Sequence, residues 1–326
     1  MLLTILFVLT KNIAVISLWR DSQSYIYSTL KQLANQEEEL GSEYSFFYSF
    51  YENDSLDDTS KILRKWLDDR KGILLTEKRN DPKWESVPSI SRTQAMAQYR
   101  NCCLFSLRNK SFDYLFIIDS DIYYNKYLFK SMIDLINNNK MYGMLTSNTQ
   151  QNVSDKFDKN KSTSYYDSWA LKDLRGNQGL SFAYNPFIMN SDRKRWDNSL
   201  PISVASAFGG ISLIRGDLLK ENKLIWNGDL GCEHWFFCER IREMKYLIVV
   251  HPLLFAEVKH LRPVRVDIFL LYCDKLRLMR NNFQGDNLND QCINLIIRLG
   301  VCIFNCLFNV KKMISKIIKV AFTCFN

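Results

Sequence analysis

An acidic triplet in the middle of the chain follows a short apolar segment. Residues 114–118 read YLFII, and Asp119-Ser120-Asp121 comes directly after them. Open α/β sheets bind ligands beyond the carboxyl ends of their strands. Two carboxylates one residue apart repel each other unless a cation lies between them, and hard oxygen ligands suit Mg²⁺ or Mn²⁺ beside a diphosphate. We therefore expect Asp119 and Asp121 to hold a divalent metal ion. A cap on a following helix is the simpler alternative.

Polar side chains in the first third of the chain are suited to bind the base, ribose and diphosphate of a nucleotide. The second predicted strand ends in YENDSLDDT, where Glu52 and Asp54 would hold a base and a ribose, although acids here also suit a helix cap. Apolar side chains in residues 91–107 follow helical spacing. Arg92 and Arg100 on that helix would face diphosphate oxygens, which a guanidinium binds with two hydrogen bonds. A surface salt bridge is the competing explanation for both arginines.

The second half of the chain contains residues suited to contact a sugar or an acceptor. Asp167, Trp169 and Asp173 crowd one short segment. An indole face covers a sugar ring well, and carboxylates accept hydrogen bonds from pairs of hydroxyls. Gly209-Gly210 precedes a predicted strand, as is needed where the backbone must approach a substrate closely.

The three histidines of the sequence lie close together along the chain. Glu233 and His234 begin a predicted helix, and His251 and His260 follow it. The positive end of the helix dipole should resist protonation of His234. We expect at least one histidine to serve the site, with His234 on the side of the sugar or acceptor.

Strands and helices are predicted to alternate over most of the chain. The predicted strands cover residues 13–18, 44–51, 72–76, 114–119, 143–147, 210–214 and 247–250. The predicted helices cover residues 22–39, 59–70, 92–107, 126–137 and 234–245. This alternation indicates an α/β fold with a mainly parallel central sheet flanked by helices. The polar residues 150–161 predict a mobile surface loop.

Composition and charge divide the 326 residues into three parts. An apolar leader at residues 1–11 is expected to run into a buried first strand, with an interrupted membrane span as the alternative. One domain is expected over residues 12–262. The net charge of +8 is concentrated near the carboxyl end, which argues against a nucleic-acid-binding surface. Residues 263–326 predict a basic amphipathic helical tail on anionic lipid, or else a helix packed on the domain with its lysines outward.

The order of these motifs resembles that of the GT-A glycosyltransferases, whose fold is Rossmann-like. More narrowly, YENDSLDDT, AMAQYRN, YDSWALKD and CEHWFFC resemble the capsule-associated α-1,3-mannosyltransferase family of fungi over about residues 12–262. The resemblance implies transfer of a sugar from a nucleotide sugar to a carbohydrate or glycoconjugate acceptor, with retention. It favours GDP-mannose as the donor, with a UDP-sugar as the alternative.

The resemblance also implies roles for individual residues. The acidic pair would hold Mn²⁺ or Mg²⁺ on the diphosphate, completed by His260 or, less favourably, by His251. Arg100 would supplement the charge of the metal ion. Glu233 would contact the acceptor, as the general base of an inverting enzyme or as a positioning group in a retaining one.

Two other classes of function are compatible with the same residues. The chain would be an inactive carbohydrate-binding relative if it kept the fold but transferred no sugar. It would be a membrane-associated scaffold if the polar motifs were only surface loops without a ligand. The tail predicts peripheral membrane association, with the cytoplasmic face favoured over the lumen of the Golgi or endoplasmic reticulum.

Overall fold

In the part of the chain that the structure describes, eleven strands form a single sheet that is flanked by helices. The computed structural model describes residues 10–84, 89–154, 162–220, 223–258, 264–265 and 268–282. The strands are β1 (Lys11–Trp19), β2 (Tyr44–Asn53), β3 (Gly72–Glu77), β4 (Tyr114–Asp119), β5 (Ile122–Tyr124), β6 (Tyr142–Ser154), β7 (Ser162–Tyr165), β8 (Ile202–Val204), β9 (Ile211–Arg215), β10 (Leu247–Val258) and β11 (Val264–Arg265). The α-helices are α1 (Ile26–Leu40), α2 (Thr59–Leu67), α3 (Ile90–Phe105), α4 (Leu128–Asn138), α5 (Asn190–Asp197), α6 (Glu233–Glu243) and α7 (Ile268–Asn282). Two 3₁₀ helices cover Gly41–Glu43 and Gly216–Leu219.

The adjacent strands β1 and β4 are mainly apolar because both of their faces are covered. In β1, Ala14 and Ile16 join the hydrophobic core on one side of the sheet, and Ile13 and Val15 join the core on the other side. The side chains of β4 divide between the same two cores in the same alternating way. Continuous apolar segments of this kind are typical of strands buried in a parallel sheet.

The order of the strands determines where a ligand can bind. The main path of the sheet is β3-β2-β1-β4-β9-β6-β10-β5. The first four strands are parallel, and β9 is inserted antiparallel between β4 and β6. The chain moves outward from β1 to β3 and then returns to the other side of β1 as β4. Such a switch point opens a crevice at the carboxyl ends of the two adjacent strands, which here are β1 and β4.

The predicted elements are present with shifted ends, and the sequence missed several short ones. The mainly parallel α/β fold is confirmed, whereas β5, β7, β8, β11 and α5 were not predicted. The loop predicted at residues 150–161 is wrong at its start, because β6 continues to Ser154. Asn148 is buried in this polar strand, and its side-chain amide donates to the Pro252 carbonyl at 2.9 Å. Residues 155–161 lie outside the described residues.

The predicted leader and most of the predicted tail lie outside the described residues. The described part of the predicted tail includes α7, which packs on the domain: the buried Asp274 carboxylate accepts a hydrogen bond from the Ser181 backbone N–H at 2.7 Å. Arg277 donates to the Gly179 carbonyl at 3.4 Å. In the described ranges, no helix has the length and apolar character needed to cross a membrane.

Candidate active site

A buried arginine joins two acidic residues at the carboxyl end of β4. Nη2 of Arg100 lies 3.1 Å from Oδ1 of Asp119, the last residue of β4, and Nη1 lies 2.6 Å from Oε1 of Glu233. Charge-assisted hydrogen bonds of this length are among the strong ones. Arg100 therefore bridges two acids that are far apart in the sequence, and the surface salt bridge considered for it is wrong.

Helix α3 places Arg100 on the face that the helix buries. Ala97 and Leu104, three and four residues away, pack into the core from the same face. The guanidinium lies over the Phe208 ring, with 5.2 Å between the Arg100 Cζ and the ring centroid. Burial works to lower the pKa of Arg100, but the charges of Glu233 and Asp119 outweigh it and raise the pKa above its ordinary value. The guanidinium therefore stays charged.

Glu233 and His234 form the first turn of α6. A carboxylate is favoured there because the helix dipole places partial positive charge at the amino end. Both side chains are buried, and Nε2 of His234 lies 3.6 Å from Oε1 of Glu233. Oε2 of Glu233 accepts no hydrogen bond from a described residue, so this oxygen is available to a ligand.

Two consecutive glycines connect Asp119 with Asp167. The Gly209 N–H donates to Oδ2 of Asp167 at 3.1 Å, and the Gly210 carbonyl accepts from the Asp119 N–H at 2.8 Å. Both glycines have positive φ, 66° and 74°. A Cβ on Gly209 would lie 2.5 Å from the Ser147 carbonyl oxygen. Because only glycine fits this turn, the turn fixes the spacing of the two acids.

The site holds more acid than the described cations nearby can neutralise. Burial raises the pKa of Asp119 to about 7; Arg100 opposes this rise, and Asp121, Asp167 and Glu233 add to it. Burial likewise raises the pKa of Asp167 to about 7 against hydrogen bonds from two backbone N–H groups. The excess of carboxylates would be offset by a bound cation.

Tyr166 belongs to the site and was missed from the sequence. Burial raises its pKa, and the neighbouring Asp121, Asp119 and Asp167 raise it further, while Arg92 lowers it. Its ring also lies 3.6 Å from the position of a Cβ on Gly210. The signal was present, because Tyr166 is the first residue of the motif YDSWALKD.

A cleft of about 700 Å³ opens at the ends of β1, β2 and β3. Glu52 lines this cleft and is largely buried; its Oε1 accepts a hydrogen bond from the Ser55 N–H at 2.9 Å. Asp54 lines the same cleft, and its predicted contact with a nucleoside stays a prediction. Its carboxylate accepts the backbone N–H groups of Arg79, Asn80 and Asp81, so it holds the wall of the cleft in place.

The remaining predicted residues divide between the site and its surroundings. Arg92 stacks on Trp169, with 5.4 Å from its Cζ to the ring centroid, and makes no salt bridge with a described residue. Asp173 is turned toward its own loop, where Oδ1 accepts the N–H groups of Arg175 and Asn177 at 2.9 and 2.8 Å. The structure thus brings Arg92 and Trp169 together and engages the Asp173 carboxylate elsewhere.

Only part of the predicted metal site lies in the described residues. Asp119 and Asp121 are described, and His260 lies outside the described ranges. Nδ1 of the buried His251 accepts the Leu253 N–H at 3.2 Å. Within the described ranges, no group of three or more His, Cys, Asp or Glu side chains is arranged to hold a metal ion.

Comparison with known proteins identifies the family. The family model described as Cryptococcal mannosyltransferase 1 matches residues 12–244. No curated protein sequence matches the chain.

The chain also matches solved structures at low sequence identity. GalNAc-T7 with UDP, GalNAc and Mn²⁺ is 10% identical with a TM-score of 0.51, over 81% of this chain and 48% of that one. Mannosyltransferase PcManGT from Pyrobaculum calidifontis, in complex with GDP-Man and Mn²⁺, is 12% identical with a TM-score of 0.48, over 89% and 70%. S. aureus TarS 1-349 in complex with UDP is 14% identical with a TM-score of 0.42, over 89% and 70%.

The family match covers most of the chain and includes every described residue of the acidic cluster around Arg100. The sheet, with its switch point between β1 and β4, has the GT-A architecture. The chain therefore belongs to the Cryptococcal mannosyltransferase 1 family and is a glycosyltransferase of the GT-A fold.

Proposed function

We propose that the chain transfers mannose from GDP-mannose to a hydroxyl of a carbohydrate or glycoconjugate acceptor, with retention and with a divalent metal ion. The observation that carries the proposal is the buried bridge from Asp119 through Arg100 to Glu233, located at the switch point of the sheet. The family description supports mannose as the sugar. A UDP-sugar is the alternative donor, since GalNAc-T7 was solved with UDP.

The donor set of the site fits a divalent metal ion. Mg²⁺ is commonly held by one or two carboxylates together with substrate phosphates, so Asp119 and Asp121 would suffice beside a diphosphate. Burial, and after it the charges of the neighbouring acids, raise the pKa of Asp119, and a bound cation would favour its charged form. His260 remains the candidate for a third ligand. When bound, the metal ion would neutralise charge that develops on the leaving diphosphate.

The donor would lie across the cleft and the acidic site. The cleft at the ends of β1, β2 and β3 has room for a nucleoside, and Glu52 would accept hydrogen bonds from it. Asp54 would contribute indirectly, by holding the cleft wall. Arg92 is exposed enough to meet the diphosphate, and the Trp169 ring beneath it would orient its guanidinium.

The acceptor would approach Glu233. Its Oε1 is held by Arg100, so Oε2 can accept a hydrogen bond from the acceptor hydroxyl. In the proposed retaining reaction, a bond forms between the acceptor oxygen and C1 of the sugar while the bond from C1 to the diphosphate breaks. The acceptor proton passes to the departing diphosphate, and Glu233 positions the acceptor. If the product were inverted, Glu233 would take that proton as the general base.

The proposal is tested by a donor screen with the full-length chain. We expect GDP release from GDP-mannose with Mn²⁺ but not with EDTA, and we expect it to be abolished in Asp121→Asn. The control is Asp134→Asn, which removes only an exposed carboxylate paired with Lys130. Full activity of Asp121→Asn would refute the proposal that Asp121 holds the metal ion. Consumption of UDP-sugars alone would refute GDP-mannose as the donor. The linkage of the product, measured by NMR, decides between retention and inversion.

We also propose that the enzyme works at a membrane surface. The support is the sequence of residues 283–326, which is basic and apolar and contains acids only near its start. These residues lie outside the described ranges. The cytoplasmic face is favoured over the lumen of the Golgi or endoplasmic reticulum. Flotation of the full chain and of a chain lacking residues 285–326 with anionic vesicles tests the idea, and equal flotation would refute it.

A further inference from the structure

Arg100 is followed on α3 by an asparagine that reaches the same turn of α6 by another route. The Asn101 side chain clasps the backbone of Trp226: its Oδ1 accepts the Trp226 N–H and its Nδ2 donates to the Trp226 carbonyl, both at 2.9 Å. Asn101 therefore fixes Trp226 to α3 across a sequence separation of 125 residues.

Trp226 in turn fixes the imidazole of His234. The buried indole stacks on Phe237, with ring centroids 4.2 Å apart, and its Nε1–H donates to Nδ1 of His234 at 3.4 Å. A nitrogen that accepts a hydrogen bond carries no proton, so the single proton of a neutral imidazole must lie on Nε2. His234 remains neutral, because burial, and then the charges of Arg100 and Arg92, hold its pKa well below 6.5.

The proton on Nε2 faces Glu233. Nε2 is fully buried, has no hydrogen-bond partner among the described residues and lies 3.6 Å from Oε1 of Glu233. The ring cannot turn away freely, since it stacks on Phe208 with centroids 4.1 Å apart. In the opposite tautomer, a lone pair would face the carboxylate and repel it. A buried donor without a partner is costly, which indicates that the partner is gained during function.

We propose that Asn101, Trp226 and His234 form a positioning relay for Glu233, in which Nε2–H of His234 is the second donor to the carboxylate when Glu233 turns to meet the acceptor. This inference rests on the acceptor role proposed for Glu233. In this relay, the adjacent residues Arg100 and Asn101 both position Glu233. Arg100 holds Glu233 directly, and Asn101 holds it through an indole and an imidazole.

The first test observes the tautomer without any substrate. Long-range ¹H–¹⁵N NMR of the ¹⁵N-labelled full chain should show His234 protonated on Nε2 only, with its signals assigned by their loss in His234→Asn. Trp226→Phe keeps the stacking on Phe237 but removes the donor, so both tautomers should appear. Protonation of Nδ1 in the wild-type chain, or an unchanged tautomer in Trp226→Phe, would overturn the relay.

The second test compares two amides at position 234. A Gln side chain can place its N–H near the position of Nε2, whereas the shorter Asn cannot. We expect transfer to fall about 10- to 100-fold in His234→Asn and less in His234→Gln. Equal transfer by the two variants would refute the relay, whereas a wild-type chain without donor turnover would refute the proposed function.

Asn101→Ala tests the start of the relay, and its control, Gln94, lies two turns earlier on the same helix. Gln94 donates from α3 to the Asp229 carboxylate at 2.7 Å but does not touch Trp226. We expect Asn101→Ala to mix the His234 tautomers and to lower transfer, and we expect Gln94→Ala to change neither. The relay is refuted if Asn101→Ala keeps the wild-type tautomer and transfer rate.

Discussion

Replacement of Arg100 by methionine should disturb the fold and the site together. The guanidinium side chain is 7% exposed, and its partners Glu233 and Asp119 are 6% and 24% exposed. Methionine has a similar length and keeps the apolar contacts, so the substitution removes charge and hydrogen bonds rather than volume. Two carboxylates would then lie in a poorly solvated site without their common counter-ion.

The burial and the distances determine the size of the effect. Removal of one partner from a buried ion pair costs about 3–5 kcal/mol, because the other charge stays buried and unpaired. Glu233 meets this condition, whereas water partly solvates Asp119 and reduces its share. We expect Arg100→Met to lower the free energy of unfolding by about 3–5 kcal/mol at pH 7. The added substitution Glu233→Gln removes the stranded charge and should restore about 1–3 kcal/mol.

A double-mutant cycle measured by urea unfolding in EDTA checks these values. Lys130→Met is the matched control, since it breaks an ion pair whose side chains are 53% and 54% exposed. It should change the free energy of unfolding by about 0.5 kcal/mol or less. The reasoning is refuted if Arg100→Met is no more destabilising than Lys130→Met, or if Glu233→Gln does not restore stability in the Arg100→Met background.

Three further predictions concern the parts that surround the site. Burial raises the pKa of Asp54, but its hydrogen bonds outweigh burial and leave the pKa below 3.8. Asp54→Asn should therefore lower the free energy of unfolding by about 1–3 kcal/mol at neutral pH. In urea unfolding, the difference from the wild-type chain should shrink as the pH falls below 3.8, and a constant difference would contradict the prediction. Gly209→Ala should lower the free energy of unfolding by about 1–3 kcal/mol, because φ is positive and the added Cβ would contact the Ser147 carbonyl. Thermal unfolding checks this, and an unchanged Tm would contradict it. Phe129→Ala removes a ring stacked on Phe116 with centroids 3.8 Å apart, and should cost about 3–5 kcal/mol while donor turnover at low temperature persists. Loss of turnover in a folded Phe129→Ala protein would show that this core also shapes the site.

Short sequence patterns predicted the individual strands and helices whose formation depends on neighbouring residues. The uninterrupted apolar segment before Asp119 indicated a strand covered on both faces, and β4 is such a strand. The antiparallel insertion of β9 between β4 and β6 has no local signal, because it depends on which distant strands pair. The polar end of β6 was predicted as a loop. It is a strand because residues 150–153 pair with β7 and residues 150–151 also pair with β10, and both partner strands come later in the chain.

The sequence predicted several residues of the site but not the contacts between them. Asp119, Arg100 and Glu233 were each selected for their residue type, but the bridge between them requires α3 and α6 to meet beside β4. Asp54 and Asp173 were expected to face a ligand. Both accept hydrogen bonds from nearby backbone N–H groups, and Asp54 also lines the cleft. Short carboxylate side chains readily form such local bonds, so an Asp beside a turn is an ambiguous signal.

The topology also explains why so much depends on one arginine. The ends of β1, β2 and β3 build the cleft, whereas Asp167, the glycine turn and Glu233 come from the half of the chain that follows β6. Helix α3 lies between these halves in sequence, after β3 and before β4. Its Arg100 contacts Asp119 at the switch point and Glu233 in the second half. Within the proposed function, any ligand that competes with Asp119 for this guanidinium also changes how Glu233 is held. A substitution at Arg100 should therefore affect the donor and acceptor parts of the site together, whereas substitutions in the cleft wall or in the relay should each affect one part.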